Sequence, residues 1–262
     1  MIRALYTAAS GLMAQQMNTD VIANNIANAN TPGFKRDRIN FQDLLYQTYR
    51  RAGQSTLTGS MVPTSLRVGH GVRPIATQKI FMTGAAQQTG NPLDLMINGE
   101  GFFQVTMADG TPAYTRDGTF KIDGDGNVVT ADGLLIEPAI TVPADAVRIE
   151  VANDGTMSVL VGSDTTLTSV GQVQLVRFQN PAGLEAIGQN LFKQTDASGD
   201  PVTGSPGQEG FGQIAQGFLE MSNVSIVEEL VQLIVAQRAF ETNSRAVSVA
   251  DQLLSIANNL GR

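Results

Sequence analysis

Apolar residues fall along this chain in two different patterns, helical at both ends and strand-like between. Near the start Ile2, Leu5, Ala9 and Leu12, then Ile22, Ala23 and Ile26, fall mostly three and four apart in a stretch rich in Ala, Asn and Met and free of proline. That spacing predicts a helix with a narrow apolar seam over residues 1–30. Thr31-Pro32-Gly33 ends it, because proline disfavours the α region in the residue before it and glycine permits the turn. A stronger helical pattern closes the chain over 224–262, carried by Ile226, Leu230, Leu233, Ile234, Phe240, Val247, Ala250, Leu253, Leu254, Ala257 and Leu260. Ser222-Asn223 offers an N-cap, Glu228 and Glu229 suit the positive end of the dipole, and Gly261 can close the helix. At 1.5 Å per residue the two helices would run about 40 and about 55 Å, long for a compact globule.

Between them the chain reads as β-structure. Leu93-Asp94-Leu95-Met96-Ile97 and Gly101-Phe102-Phe103-Gln104-Val105 read as strands, and Asn-Gly or Asp-Gly pairs at 98–99, 109–110, 117–118, 132–133 and 154–155 read as tight hairpin turns. Short strands at such spacing predict a mainly antiparallel β domain. The expected class is α+β: terminal helices pairing into a discontinuous coiled-coil domain (1–30 and 224–262) and an outer β domain (76–215). Residues 31–75, polar and aperiodic around Tyr46–Leu66, are expected as an extended connector, and 216–223 as a return linker.

Charge narrows the functional classes. The chain of 262 residues carries a net charge of −7 with only 16% charged residues, which does not suit a polyphosphate partner, so no nucleic-acid binding is expected. Lys35-Arg36-Asp37-Arg38 and Arg50-Arg51 are read as solvated or subunit-contact charges. There is no apolar run of the ~18 residues that span a bilayer, and Thr7, Ser10 and Gly11 interrupt any signal-peptide core, so neither membrane insertion nor a cleaved leader is expected.

Catalytic chemistry finds no foothold. With no cysteine there is no disulfide framework, thiolate nucleophile or thiolate metal site. The single histidine, His70, has no second ligand or nucleophile beside it in sequence. Asp123-Gly124-Asp125-Gly126-Asn127 opens like a calcium loop, but Val128 and Leu134 stand where that loop needs Gly and Glu, so a hairpin turn is the better reading. No catalytic, cofactor-binding or metal-binding residue is expected, and no cofactor.

What the pattern does ask for is a partner. Two helices with apolar residues along their length cannot bury all of that surface against each other, and the remainder drives association. Identical neighbours in head-to-tail contact give a ring or an open helical filament. Gln15, Gln16, Asn18, Asn24, Asn25 and Asn28 in the first helix either face solvent or are buried amides that fix register. A secreted β-rich adhesin with helical arms is the alternative from another class.

The run Ala23-Asn24-Asn25-Ile26-Ala27-Asn28-Ala29-Asn30-Thr31-Pro32-Gly33-Phe34-Lys35-Arg36 closely resembles the N-terminal signature of the flagellar rod and hook family. Gly101–Val105, Tyr114–Phe120, Ser222-Asn223-Val224 and Gln237–Glu241 resemble the same family, so the likeness spans essentially the whole chain. Leu66–Pro74 resembles the segment that marks its distal rod members, which favours that place over proximal rod or hook. The resemblance implies a self-assembling, hollow and rigid helical tube that transmits torque from motor to hook and passes exported subunits. It implies as partners copies of the chain itself, proximal rod proteins, the hook protein, ring proteins of the periplasmic and outer-membrane bushing, and the flagellar type III export apparatus, with the rod in the periplasm. The polymerisation core is expected in Leu5, Leu12, Ile22, Ile26, Ile226, Leu230, Leu233, Ile234, Phe240, Val247, Leu253, Leu254 and Leu260. The family motif is Asn24, Asn25, Asn28, Asn30, Thr31, Pro32, Gly33 and Phe34. Contacts that stiffen the rod are expected from Tyr46, Tyr49, Arg50, Arg51, Leu57, Met61 and Leu66.

Overall fold

The computed structural model describes all but residues 1, 55–60, 163–165, 209 and 261–262, and of Ile2, Asn258 and Leu260 it describes the backbone alone. The expectations placed on Leu57, on the Leu260 side chain and on Gly261 lie outside the described residues. The chain forms two compact units. One comprises residues 1–26, 37–78 and 225–262, the other 27–36 and 79–224.

The first unit holds both long helices, α1 (Ile2–Ala27) and α2 (Ile226–Leu260). They run antiparallel: Gly11 of α1 lies against Asn243, and Asn25 against Glu229. A Cβ at Gly11 would come within 2.9 Å of the Asn243 side-chain nitrogen, so the mid-helix glycine, ordinarily a cost in a helix, leaves room for the Asn243 side chain of α2. The α2 residues turned inward are Glu229, Leu233, Ala236, Asn243, Val247, Ala250 and Leu254, all buried or half-buried. They alternate by threes, fours and sevens, the spacing that keeps one helix face on a partner helix. Neither helix is long and apolar enough to cross a membrane.

The segment expected as an extended connector folds back on itself into paired strands. Strands β1 (Asp37–Asp43), β2 (Tyr46–Arg50), β3 (Leu66–Gly69) and β4 (Val72–Lys79) make a kinked two-stranded ribbon, β1 pairing with β4 and β2 antiparallel with β3. Gly53 and Gln54 continue the pairing to Val62. Period-two patterning is weak here because most ribbon side chains are exposed, so no buried face imposes alternation. His70 is an exposed turn residue between β3 and β4. The ribbon lies along α1, where Val72 N–H donates to Ser10 Oγ at 3.3 Å and Arg3 donates to the Tyr49 hydroxyl.

The second unit is built of β5 (Ala86–Gln88), β6 (Leu95–Asn98), β7 (Phe102–Thr106), β8 (Pro112–Thr115), β9 (Phe120–Ile122), β10 (Val128–Thr130), β11 (Leu135–Glu137), β12 (Ala146–Val151), β13 (Thr156–Val161), β14 (Thr168–Gln172), β15 (Leu175–Arg177), β16 (Glu185–Gly188), β17 (Leu191–Lys193), β18 (Val202–Gly204), β19 (Gln213–Gln216) and β20 (Phe218–Glu220). The antiparallel class expected from the sequence is present. One large sheet runs β16-β17-β8-β7-β11-β10-β9, with β15 also on β7 and β18 on β15. The order β12-β13-β14 forms a second sheet, and β6 pairs β19 while β5 pairs β20. Adjacent residues on a strand point to opposite faces, and here both faces are covered. Phe103 and Leu175 enter a cluster with Phe120, Ile136 and Met157, while Phe102 and Val176 enter another with Tyr114, Phe178 and Phe192.

Three of the five Gly turns are hairpins: 109–110 joins β7 to β8, 132–133 joins β10 to β11, and 154–155 joins β12 to β13. Asp123–Asn127 likewise joins β9 to β10. The other two are not hairpins. Asn98-Gly99 and Asp117-Gly118 join strands that do not pair with each other, and Gly118 is required by proximity, since a Cβ there would overlap the Leu95 carbonyl.

Candidate assembly surfaces

In the first unit the apolar side chains of α2 divide between an inward and an outward face. The seam between the helices holds small residues, with Ala236 1% and Ala250 6% exposed, beside half-buried Leu233, Val247 and Leu254, while other large apolar residues of α2 stand outside: Val227 is 72% exposed, Val231 56%, Ile234 52%, Val235 62% and Val249 54%. Of the expected polymerisation residues, Ile22 is buried and Leu5, Leu12, Ile26, Leu233, Val247 and Leu254 are half-buried between elements of this unit. Ile226, Leu230, Ile234, Phe240 and Leu253 are exposed. In the ribbon Tyr46, Tyr49, Arg50, Arg51, Met61 and Leu66 are all exposed.

The two readings of the amide row resolve differently at each position. Asn24 is exposed, whereas Asn25 is buried. Its Oδ1 accepts from Asp37 N–H at 2.9 Å, and its Nδ2 donates to Asp37 O at 2.9 Å and to Glu229 Oε2 at 3.3 Å. One amide therefore ties the end of α1, the start of β1 and the first turn of α2. Glu229 is thus more than a helix-start charge: it is buried against that amide. The helix itself begins after Ser225, whose carbonyl accepts from Glu229 N–H at 3.0 Å, so Ser222-Asn223 is not its cap.

In the second unit the quoted motifs meet. Gly33 takes φ +70° and packs so closely on the Arg116-Asp117 backbone that a Cβ would lie 2.6 Å from Asp117 N. Its N–H donates to Glu220 O at 2.8 Å. The Glu220 side chain, fully buried, pairs with buried Lys35 and, at 3.4 Å, with buried Arg116, and accepts from Gly84 N–H at 2.9 Å. Lys35 Nζ also donates to Met82 O, and Arg116 Nη2 to Gly99 O at 2.9 Å. Burial pushes both cations below their ordinary pKa values, and the Glu220 carboxylate opposes that shift. Asn223 accepts from Arg36 N–H at 2.8 Å and donates to Ile80 O at 2.8 Å. Asn190 Nδ2 donates to Pro32 O at 3.0 Å.

Two expectations are corrected here. Lys35 is a buried ion-pair partner rather than a solvated charge, and 216–223 contains strand β20, which delivers Glu220. Arg116 lies inside a quoted motif, and Lys35 inside another, but a buried charge cannot be recognised until its counter-charge is found, and Glu220 is 185 residues from Lys35. Among the described residues no group of His, Cys, Asp and Glu is placed to hold a metal.

The chain combines a helical unit that exposes apolar surface with a β unit closed by an N-terminal signature, features of an assembly protein, and sequence comparison agrees. Residues 5–35 match the family described as flagella basal body rod protein, 96–159 the flagellar hook protein FlgE/F/G D1 domain, and 215–260 the flagellar basal body rod FlgEFG protein C-terminal family. The chain belongs to the flagellar basal-body rod protein family. It is similar over 100% of both chains to flagellar basal-body rod protein FlgG of Borreliella burgdorferi, at 50% identity. The FlgG of Caulobacter vibrioides is 48% identical over 99% of each chain, and that of Bacillus subtilis 40% over 100% of each.

Proposed function

We propose that this structural subunit of the flagellar basal body builds the distal rod by polymerising through its helical unit into a rigid hollow tube, and that it has no enzymatic activity. The observation that carries the reading is the row of large apolar side chains left exposed on the outer face of α2. A stripe of that kind is stable only when covered, and covering it with further copies of the same chain yields a ring or filament. The full-length likeness to rod proteins named FlgG supports the rod over the hook. In this reading the helices form the inner wall of the tube and the β unit faces a ring bushing in the periplasm. Proximal rod and hook proteins then meet its two ends, and subunits arrive through the flagellar type III apparatus. The exposed ribbon residues Tyr46, Tyr49, Arg50, Arg51, Met61 and Leu66, with Leu57, supply the contacts between stacked subunits that keep the tube straight. Deleting 46–66 and imaging the polymer tests that part, since a tube that stays straight and rigid contradicts it.

Sedimentation of the purified full-length chain tests the whole. Wild type is expected to pellet as polymer above a critical concentration, and Val231→Asp with Ile234→Asp to remain a folded monomer. A wild-type chain that stays monomeric at high concentration, or a double variant that polymerises as well, contradicts the proposal.

A further inference from the structure

Within the helical unit, α1 carries an outward ridge flanked by two grooves. One, of about 320 Å³, is lined by Gln16, Thr19 and Asp20 of α1 and Gln237, Phe240 and Glu241 of α2. The other, of about 420 Å³, is lined mainly by apolar side chains, among them Met17, Val21, Ile39 and Ile75, and again by Asp20. Asp20 is the only carboxylate of α1 and borders both.

The exposed stripe of α2 poses the complementary problem. It runs Val227, Val231, Ile234, Arg238, Arg245, Val249 and on to Ile256, so two arginines interrupt its middle. At 100° per residue Arg238 lies about 200° around the helix from Ala236, and Arg245 about 180°. Ala236 is buried in the seam, so both guanidinium groups face away from α1 of their own chain. Among the described residues neither arginine, Asp20 nor Glu241 makes an ion pair within the unit. Covering the stripe with an apolar neighbour would strand two cations out of water, which is strongly unfavourable unless an anion meets them.

We infer that the α1 ridge and its two grooves receive the outer stripe of α2 from a second copy of this chain, with Asp20, assisted by Glu241, meeting Arg238 or Arg245. This rests on the polymerisation reading above and names its contact. Apolar residues of the stripe enter the grooves on either side of the ridge, and the ion pair fixes axial register. The arginines stand seven residues apart, about 10.5 Å along the axis, so a wrong register places an uncompensated arginine on apolar lining.

Charge exchange tests this in the full-length chain. Asp20→Arg is expected to raise the critical concentration at least tenfold, and adding Arg238→Asp or Arg245→Asp to return it to within about threefold of wild type. Because the chain has no cysteine, Asp20→Cys combined with Arg238→Cys or Arg245→Cys provides a second readout. Because Arg238 and Arg245 face away from α1 of their own chain, oxidation of the polymer should give a ladder of covalent oligomers. Asp20→Arg polymer formed at the wild-type concentration, failure of both exchanges to rescue, or rescue only by reversing a ribbon arginine such as Arg73 overturns the contact while leaving polymerisation standing. Failure of wild type itself to polymerise removes the reading beneath it.

Discussion

Removing the Glu220 carboxylate would leave Lys35 and Arg116 buried without their anion. Glu220→Ala is therefore expected to destabilise the β unit by about 3–5 kcal/mol in urea unfolding, the usual penalty for breaking one side of a buried ion pair. Gly33→Ala should also destabilise, because the +70° φ strains any Cβ and the Asp117 backbone occupies its space. Its check is the same unfolding curve, with loss of the midpoint expected. Acid acts elsewhere. Asp109 is held below the usual carboxylate range chiefly by the Thr111 hydroxyl, Asp123 by the Asn127 amide and Asp154 by the Thr156 amide. A depressed folded-state value means that their contribution is present above the ordinary aspartate pKa of about 4 and is lost as pH falls through the lower folded value. Melting temperature should thus decline below about pH 4, and the decline should be shallower in Asp109→Asn, Asp123→Asn, Asp154→Asn, where asparagine keeps the acceptor without the titration.

The helices were legible because period and length agreed over Ile226–Leu260, but their division of labour was not. Periodicity marks every apolar residue as core, and only the folded unit separates Ala236 and Ala250, inside, from Val231 and Ile234, outside. The antiparallel β class followed from turn chemistry, yet Asn98-Gly99 and Asp117-Gly118 show that a turn dipeptide also serves where backbones cross closely. The ribbon escaped notice because strands exposed on both faces need no alternation, and β20 because a three-residue strand carries too little pattern. Ala236→Leu tests the seam: enlarging a residue 1% exposed between two helices should cost about 1–3 kcal/mol, measured by loss of helical signal on heating.

The two units divide the work of the chain. The β unit closes on itself, joining residues 27–36 to 79–224 through Lys35, Arg116 and Glu220, and buries its aromatic residues on both faces of one sheet. The helical unit leaves many large apolar side chains of α2 uncovered, and in the proposed assembly neighbouring copies cover them. Helices of this kind draw most of their stability from packing, so their amide protons should exchange faster in the monomer than in the polymer, while those of β7 and β15 exchange slowly in both. A helical reconstruction of the polymer at side-chain resolution bears most directly on the account. The expected result is a tube in which Val227, Val231, Ile234 and Val249 of every subunit are buried against α1 of another. Those side chains left facing an open lumen or solvent, with subunits joined through their β units alone, would contradict it.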